Sequence, residues 1–502
     1  MPEMRHSTAL TRDTILARTG GHIDPMLDHD FTVTSLTIDS RKCTAGSLFV
    51  AMTGEHADGH DFVAAAAANG ATAALVTRAV ADPIIQDNRC VQIIVENCQQ
   101  ALDDLAMMGR ISHQQAGGRL VGITGSVGKT GSKEMLAHIL ARMGGCHASQ
   151  ASFNNHVGVP LTLAALPEAI PFAVQEMGMN AAGEIAHLTL LAAPDVAVIT
   201  RIADSHAGFF ASLEDIAVAK AEIFDGLTGL RTVVLNRDDQ FFDELARRAK
   251  RAGAERIISF GTHDDADFRL VDCKADNTGL QIEAICLDTR IEFHLGMTAP
   301  HWAINALGML AATAALGLDV KAAASMLADF TDLPGRGARH SGHIGADHIT
   351  LVDDSYNAGP ASMAAALDAL QQTPAQILVL SDMLELGAGT EDAHEALIPK
   401  ITSLNPRVII TLGASMHRMT QNLVKADPDN TQSISCHAAD DPGHALSLVL
   451  SEIADGDLIF IKGSHGSGAH LVAAGLIEKL TPSPDVTMAR TANSAKGESH
   501  AA

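Results

Sequence analysis

Short apolar runs rich in β-branched residues alternate with Ala- and Leu-rich stretches along most of this chain. "SLFVAM" precedes "GHDFVAAAAANG", and "AALVT" follows; "RLVGIT" precedes "SKEMLAHILARMG". "DVAVIT", "RTVVLN", "RIISFG", "AQILVLS", "RVIITLG" and "DLIFIKG" each end in a turn signal. A strand covered on both faces reads as a near-continuous apolar run, and the helices that cover it supply the connections between parallel neighbours. The alternation therefore predicts an α/β fold with largely parallel sheets. At 502 residues the chain has room for about three domains of roughly 150 residues each. Two polar, turn-rich breaks divide it, "SHQQAGGRL" at 112–120 and "DFTDLPGRGARHSGHIGADH" at 329–348. The expected units are 1–115, 116–330 and 331–480, and the small polar segment 481–502 is expected to be disordered.

A formal net charge of −24 argues against a nucleic-acid partner, so any anionic ligand must be held by local positive groups. The seven cysteines include no C-x-x-C pair and are odd in number, which suits a reducing cytoplasm. No run of 18 apolar residues is present and the N-terminal segment lacks an apolar signal region, so no membrane segment is expected.

The chemistry begins at "VGITGSVGKTGSKEML", 121–136. The common phosphate-loop pattern G-x-x-x-x-G-K-[ST] would need a glycine where Ile123 stands; the glycines fall at Gly122, Gly125 and Gly128. Even so, an apolar strand runs into a glycine turn and then a helix with Leu136, Ile139, Leu140 and Met143 on one face. Such a turn aims backbone N–H groups and a helix dipole at an anion. Gly125, Ser126, Val127, Gly128, Lys129, Thr130 and Gly131 are therefore candidate ATP-binding residues. Lys129 can reach the β/γ-phosphates and the Thr130 hydroxyl can ligate Mg²⁺. A chance Gly-Lys-Thr in an ordinary turn is the weaker reading, and the loop alone does not decide between hydrolysis, transfer and ligation.

Glu176 ends the next apolar run, where a magnesium-facing carboxylate belongs in an α/β ATPase. His206 follows the strand after that, and Lys220 falls on a helix predicted to begin near Ser212. Alone, His206 would be a surface histidine and Lys220 a solvated lysine.

The order of these elements resembles the Mur ligases, ATP-dependent amide-forming enzymes of peptidoglycan precursor synthesis. "TGSVGKT", "FNNHVGVPLTL", "EMGMNAAGEI" and "VAKAEIF" carry the likeness, and the family's glycine spacing matches Gly122, Gly125 and Gly128. It implies a central phosphate-loop ATPase-like parallel sheet, a C-terminal Rossmann-like α/β domain and an N-terminal α/β domain for a UDP-sugar substrate. The segment "DSRKCTAGSLFVAMTGEHADGHDF" is similar to the family's nucleotide-sugar segment, which implies substrate contacts from Ser40 and Arg41. Asn154 and Asn155 are carried over as further substrate contacts. "APHWAINALGMLAA" implies His301 and Asn305 at the ATP; "LPGRGARH" and "VDDSYNAGPASM" imply Arg336, Asp354 and Tyr356. "SFNNHVGVPLTL" and "DDSYNAGPASM" resemble most the member that joins D-alanyl-D-alanine to UDP-N-acetylmuramoyl-tripeptide; the D-N-P-R motif of the diaminopimelate-adding member is absent. ATP and Mg²⁺ are then the expected cofactors, those two molecules the expected partners, and a cytoplasmic monomer the expected form.

The resemblance further implies an acyl-phosphate route. Lys129 and Mg²⁺ held by Thr130 and Glu176 neutralise the phosphates, His206 helps hold a second ion, and Lys220 is carbamylated to a metal-binding anion. Arg336 reaches the nucleotide when the third domain closes about a hinge near "TDLPGRG". Several positions depart from the family pattern. Gly131 stands where a hydroxyl residue is usual, Arg201 and Gly359 replace asparagines, His465 replaces an arginine, and Ala469 and His470 stand at a usual Met-Glu. These bear mainly on the acceptor side, where another amino-acid acceptor, or a homologue without catalysis, is the alternative.

Overall fold

The computed structural model describes residues 5–23, 29–54, 57–149, 153–203, 210, 212–276, 278–331, 333–371, 376–426 and 434–482. Its strands form three sheets that follow one another along the chain. The first has six strands, four of them parallel (Thr32–Thr37, Ser47–Val50, Ala71–Val76, Val91–Ile94), with antiparallel edges Arg5–Thr11 and His22–Ile23.

The second sheet has nine strands. At its centre Arg119–Thr124 lies parallel between Phe172–Glu176 and Val196–Ile199. Their burial is complete or nearly so, as a run such as "LVGIT" requires when helices cover both faces. One edge departs from the parallel expectation: Phe268–Ala275, Leu280–Cys286 and Thr289–Leu295 form an antiparallel meander. Its middle strand alternates buried and partly exposed positions, the pattern of a sheet with one wet face. The third sheet has seven strands, parallel from Ser435–Ala439 through Asp347–Asp354. Ala338–Ile344 is antiparallel at its edge, and Thr481–Pro482 pair with Gly342 and His343. The expected disordered tail therefore starts no earlier than 483; residues 483–502 lie outside the described residues.

The helix Cys98–Gln115 joins the first two units. Buried Arg110 donates to the carbonyls of Ala192 and Ala193 and to the Asp195 carboxylate at 3.0 Å, and Arg119 reaches the other Asp195 oxygen at 2.7 Å. Buried charge is tolerated here because each carboxylate oxygen has a donor. One apolar cluster runs from Leu10 and Ile15 through Leu102 and Leu105 to Val233 and Leu235, so the first sheet is seated on the second by a shared core.

Candidate active site

Three strand ends meet at the glycine turn. The register sets Ile123 beside Glu176 and Thr124 beside Ile199, so the loop after Thr124, the Glu176 carboxylate and the segment Thr200–Arg201 converge. Gly125 has φ +150°, and a Cβ there would lie 2.0 Å from Thr200 Oγ1. Only glycine allows that approach. Thr200 donates to the Val127 carbonyl at 2.6 Å, and Ser126 N–H donates to Arg201 O at 2.7 Å. Gly128, in the left-handed region, caps the helix Lys129–Arg142.

Lys129 Nζ donates to Gly125 O at 2.8 Å and reaches Ser126 O at 3.4 Å, folding back over the loop it would lend to phosphate. The protein packed around it pushes its pKa down; Glu176 opposes the shift and Arg336 adds to it. Arg336, from the other side of the cleft, therefore already bears on the loop lysine. Glu176 is 1% exposed. Asn154 Nδ2 donates to its Oε1 at 2.7 Å, while Oε2 is buried with no hydrogen-bond donor. Such an orphaned oxygen is costly unless something cationic meets it. Together with the Thr130 hydroxyl it would suit a magnesium ion, which takes few protein ligands and would supply charge neutralisation. Among the described residues no group of three or more His, Cys, Asp or Glu forms a self-sufficient metal cluster.

Lys220 lies on the helix Leu213–Ala221, capped by the Ser212 hydroxyl as the sequence predicted. It is 1% exposed. Burial first, and the charge of Lys129 second, push its pKa well below the ordinary lysine value. The sequence reading of Lys220 as an ordinary solvated lysine is excluded by that burial. His206 lies outside the described residues.

The third sheet supplies the opposite wall. Gly335 N–H donates to buried Asp353 at 2.9 Å, Gly337 N–H to Asp353 O, and Tyr356 N–H to Gly335 O. This lacing holds Arg336 with its guanidinium 4.1 Å over the Tyr356 ring. Tyr356 leans on His465 at 5.7 Å, and His465 stacks on His470 at 4.0 Å. Asp354 pairs with Lys462 at 2.7 Å.

A cleft of about 1950 Å³ separates the walls. It gathers Ser126, Val127, Gly128, Lys129, Thr130, Gly131, Asn154, Asn155, Glu176, His301, Asn305, Arg336, Asp354 and Tyr356 from the sequence reading. Asn305 sits beside Gly128, its Oδ1 3.2 Å from where a Cβ there would be. Ser40 and Arg41 do not line it. Ser40 starts a short turn, and Arg41 is exposed and paired with Asp39 at 2.9 Å. Asn155 Oδ1 also accepts from the Val157 and Gly158 N–H groups at the start of the helix Gly158–Ala164. Trp302 and Lys462 line the cleft and were not singled out from sequence. The one signal for Trp302 was its being the single tryptophan of the chain.

Fold and cleft define a phosphate-loop protein in which a nucleotide site lies between two α/β units. Comparison with known proteins gives the family. The models for the Mur ligase middle domain, the Mur ligase glutamate ligase domain and the Mur ligase family catalytic domain match residues 123–315, 338–465 and 32–110. UDP-N-acetylmuramoyl-tripeptide–D-alanyl-D-alanine ligase of Rickettsia prowazekii is 32% identical over 85% of this chain and 92% of its own. The enzyme of that name from Escherichia coli is 32% identical over 90% and 95%. A crystal structure of MurF from Acinetobacter baumannii superposes with TM-score 0.78 at 26% identity, covering 94% of this chain and 99% of that one. MurF from Thermotoga maritima, in complex with ADP, gives 0.70 at 25% identity, covering 91% and 99%. The chain belongs to the Mur ligase family and is an ATP-dependent ligase that forms an amide bond.

Proposed function

We propose that the chain joins D-alanyl-D-alanine to UDP-N-acetylmuramoyl-tripeptide in the cytoplasm, with ATP and Mg²⁺. The observation that carries the chemistry is one cleft holding the phosphate loop, the unpartnered Glu176 oxygen and Arg336 from the facing wall. The acceptor rests on the relatives' names over most of both chains. Seven unpaired cysteines and the lack, among the described residues, of a helix long and apolar enough to cross a membrane agree with the compartment.

A free carboxylate needs a better leaving group than hydroxide. Transfer of the γ-phosphoryl group from ATP to the tripeptide carboxylate gives an acyl phosphate and ADP. The dipeptide amine attacks the acyl carbon, and phosphate leaves from the tetrahedral intermediate. The first step brings two anions together, so positioned cations dominate its cost. Lys129 and Arg336 approach the phosphates from opposite walls, while the loop N–H groups cradle them. Thr130 and Glu176 would hold Mg²⁺, which supplies charge neutralisation when bound. Asn154 keeps Glu176 aimed at the cleft. His206 would help hold a second ion in this reading, and Ser40, Arg41 and Asn155 would contact the UDP-sugar substrate.

Lys220 supplies an anion once its neutral amine adds to CO₂. An N–C bond forms, one N–H proton leaves to solvent, and a carbamate replaces the ammonium. Burial beside Lys129 favours the neutral, nucleophilic amine that this step needs. A Lys220→Ala variant is expected to be inactive, and full activity in it would overturn the role. The three domains are proposed at 1–115, 116–330 and 331–480, with closure of the third about the segment near 331–337. The acceptor is tested with a panel of D-alanyl-D-alanine, single amino acids and other dipeptides. Preference for D-alanyl-D-alanine is expected; preference for a single amino acid would reassign the enzyme within its family.

A further inference from the structure

Gly131 follows the loop threonine on the first turn of Lys129–Arg142, where a hydroxyl would suit the phosphate and glycine weakens the helix. The structure gives the reason for the glycine. A Cβ at Gly131 would lie 2.4 Å from Cη2 and 2.6 Å from Cζ3 of Trp302. The indole, 4% exposed, occupies the space that a side chain would need.

Trp302 also touches the way out of the central unit. Its ring meets Phe330 edge-on, with centroids 6.2 Å apart at 66°. Phe330 ends the short turn Met326–Asp329, after which the chain passes toward Arg336 and the third sheet. The same Phe330 is gripped from below by His138, farther along the phosphate-loop helix. The two rings are T-shaped at 5.4 Å, and His138 Nε2–H donates to Met326 O at 2.9 Å. Burial pushes the pKa of that imidazole down. The start of the interdomain segment is thus clamped to the helix that carries the phosphate loop, at one end by His138 and at the other by Trp302 wedged against Gly131. On the cleft side, His301 lies 5.3 Å from the indole.

We propose that Trp302 is a positioning residue that couples nucleotide seated in the phosphate loop to closure of the third domain, and so to the approach of Arg336. This rests on the reading that Arg336 acts on the nucleotide across the cleft. The indole does not touch the phosphates in this role. It transmits the attitude of the first helical turn to Phe330, a contact too tightly packed to absorb a shift silently.

The test uses the full chain with Trp302→Phe, Gly131→Ala and the double variant. Phenylalanine lacks the two ring atoms that crowd position 131, and alanine adds a methyl group into that space. Each single variant is expected to lower kcat about tenfold while the dissociation constant for ADP changes less than about threefold. The double variant, with methyl against phenyl, is expected to recover most of the loss. Single-variant losses that simply multiply would overturn the proposal, because positions 131 and 302 would then not act through their contact. A fall in ADP affinity that parallels the fall in kcat would overturn it as well, because the indole would then act on nucleotide binding and not on closure. A second readout does not depend on ligation. The distance between spin labels on the central and third units, read with a non-hydrolysable ATP analogue, should shorten in the native protein and not in Trp302→Phe at equal saturation. Equal shortening in both, or none in the native protein, would overturn it. Failure of the native protein to ligate would count against the proposed reaction while leaving that distance comparison intact.

Discussion

The two walls of the cleft are built on different principles. The central unit keeps its charged groups inside the protein: Glu176 at the cleft is 1% exposed, Lys129 folds back onto its own loop, and Lys220, which does not line the cleft, is 1% exposed as well. The opposite wall buries Asp353 and Lys462 but leaves Arg336 partly exposed and orders it by ring contacts, Arg336 on Tyr356, Tyr356 on His465, His465 on His470. Charges fixed in a poorly solvated site act strongly on a reacting group, because little reorganisation remains to be done. Groups ordered by aromatic contact are held more loosely and suit delivery after the substrates arrive. Under the proposed closure, pre-organisation falls to the central unit and movement to the third.

That division can be broken in several places. The largest loss is expected on the central wall. Glu176→Gln and Lys220→Ala should each lower ATP-dependent ligation by about a thousandfold or more, measured as coupled ADP formation. A loss of only a few-fold would mean that the buried carboxylate and lysine are structural. Arg336→Ala should lower kcat by about a hundredfold with ADP affinity within about threefold, because its contribution is made after the nucleotide is seated. If ADP binding by calorimetry weakened as much as kcat, Arg336 would belong to the pre-formed site instead.

A third prediction concerns the support behind the central wall. His113 is fully buried with Nε2 unpartnered, and burial and Arg110 hold its pKa down at about 4. The unfolded chain takes up this proton near pH 6.5. The stability that the neutral ring contributes is therefore complete above about pH 6.5 and is lost as the pH falls toward 4. Denaturant unfolding should show that slope, and His113→Gln should flatten it; an unchanged slope would remove His113 as its source. The smallest effect is expected at the aromatic contact. Tyr356→Leu should lower kcat by about five- to tenfold, the size of a partly exposed cation–π contact. No change would mean that the lacing of Gly335 and Gly337 to Asp353 holds Arg336 unaided.

The sequence was most informative where function depends on neighbours along the chain. The strand, the glycine turn with Lys129 and Thr130, and the helix start near Ser212 are all local, so neighbouring residues exposed them even though the glycine spacing departs from the common pattern. The place of Glu176 at the cleft was legible because it ends an apolar run, at the strand end beside the glycine turn. Other features were not legible, because they pair residues distant in sequence. Trp302 against Gly131 turns an apparent departure at 131 into a matched contact, and neither residue announces the other. The antiparallel meander between Phe268 and Leu295 alternates too weakly to stand out beside the continuous apolar runs around it. The stack of His465 on His470 likewise appears only when the turn His465–Ser467 brings the two rings together.

The most direct test of a cleft that activates one substrate and then admits another is phosphate release from ATP. It should be measured with UDP-N-acetylmuramoyl-tripeptide and D-alanyl-D-alanine each alone and both together, with Mg²⁺ present. Sustained release only when both are present, matched one for one by new amide product, is the predicted result. Sustained release without the dipeptide, or none with both substrates, would contradict it.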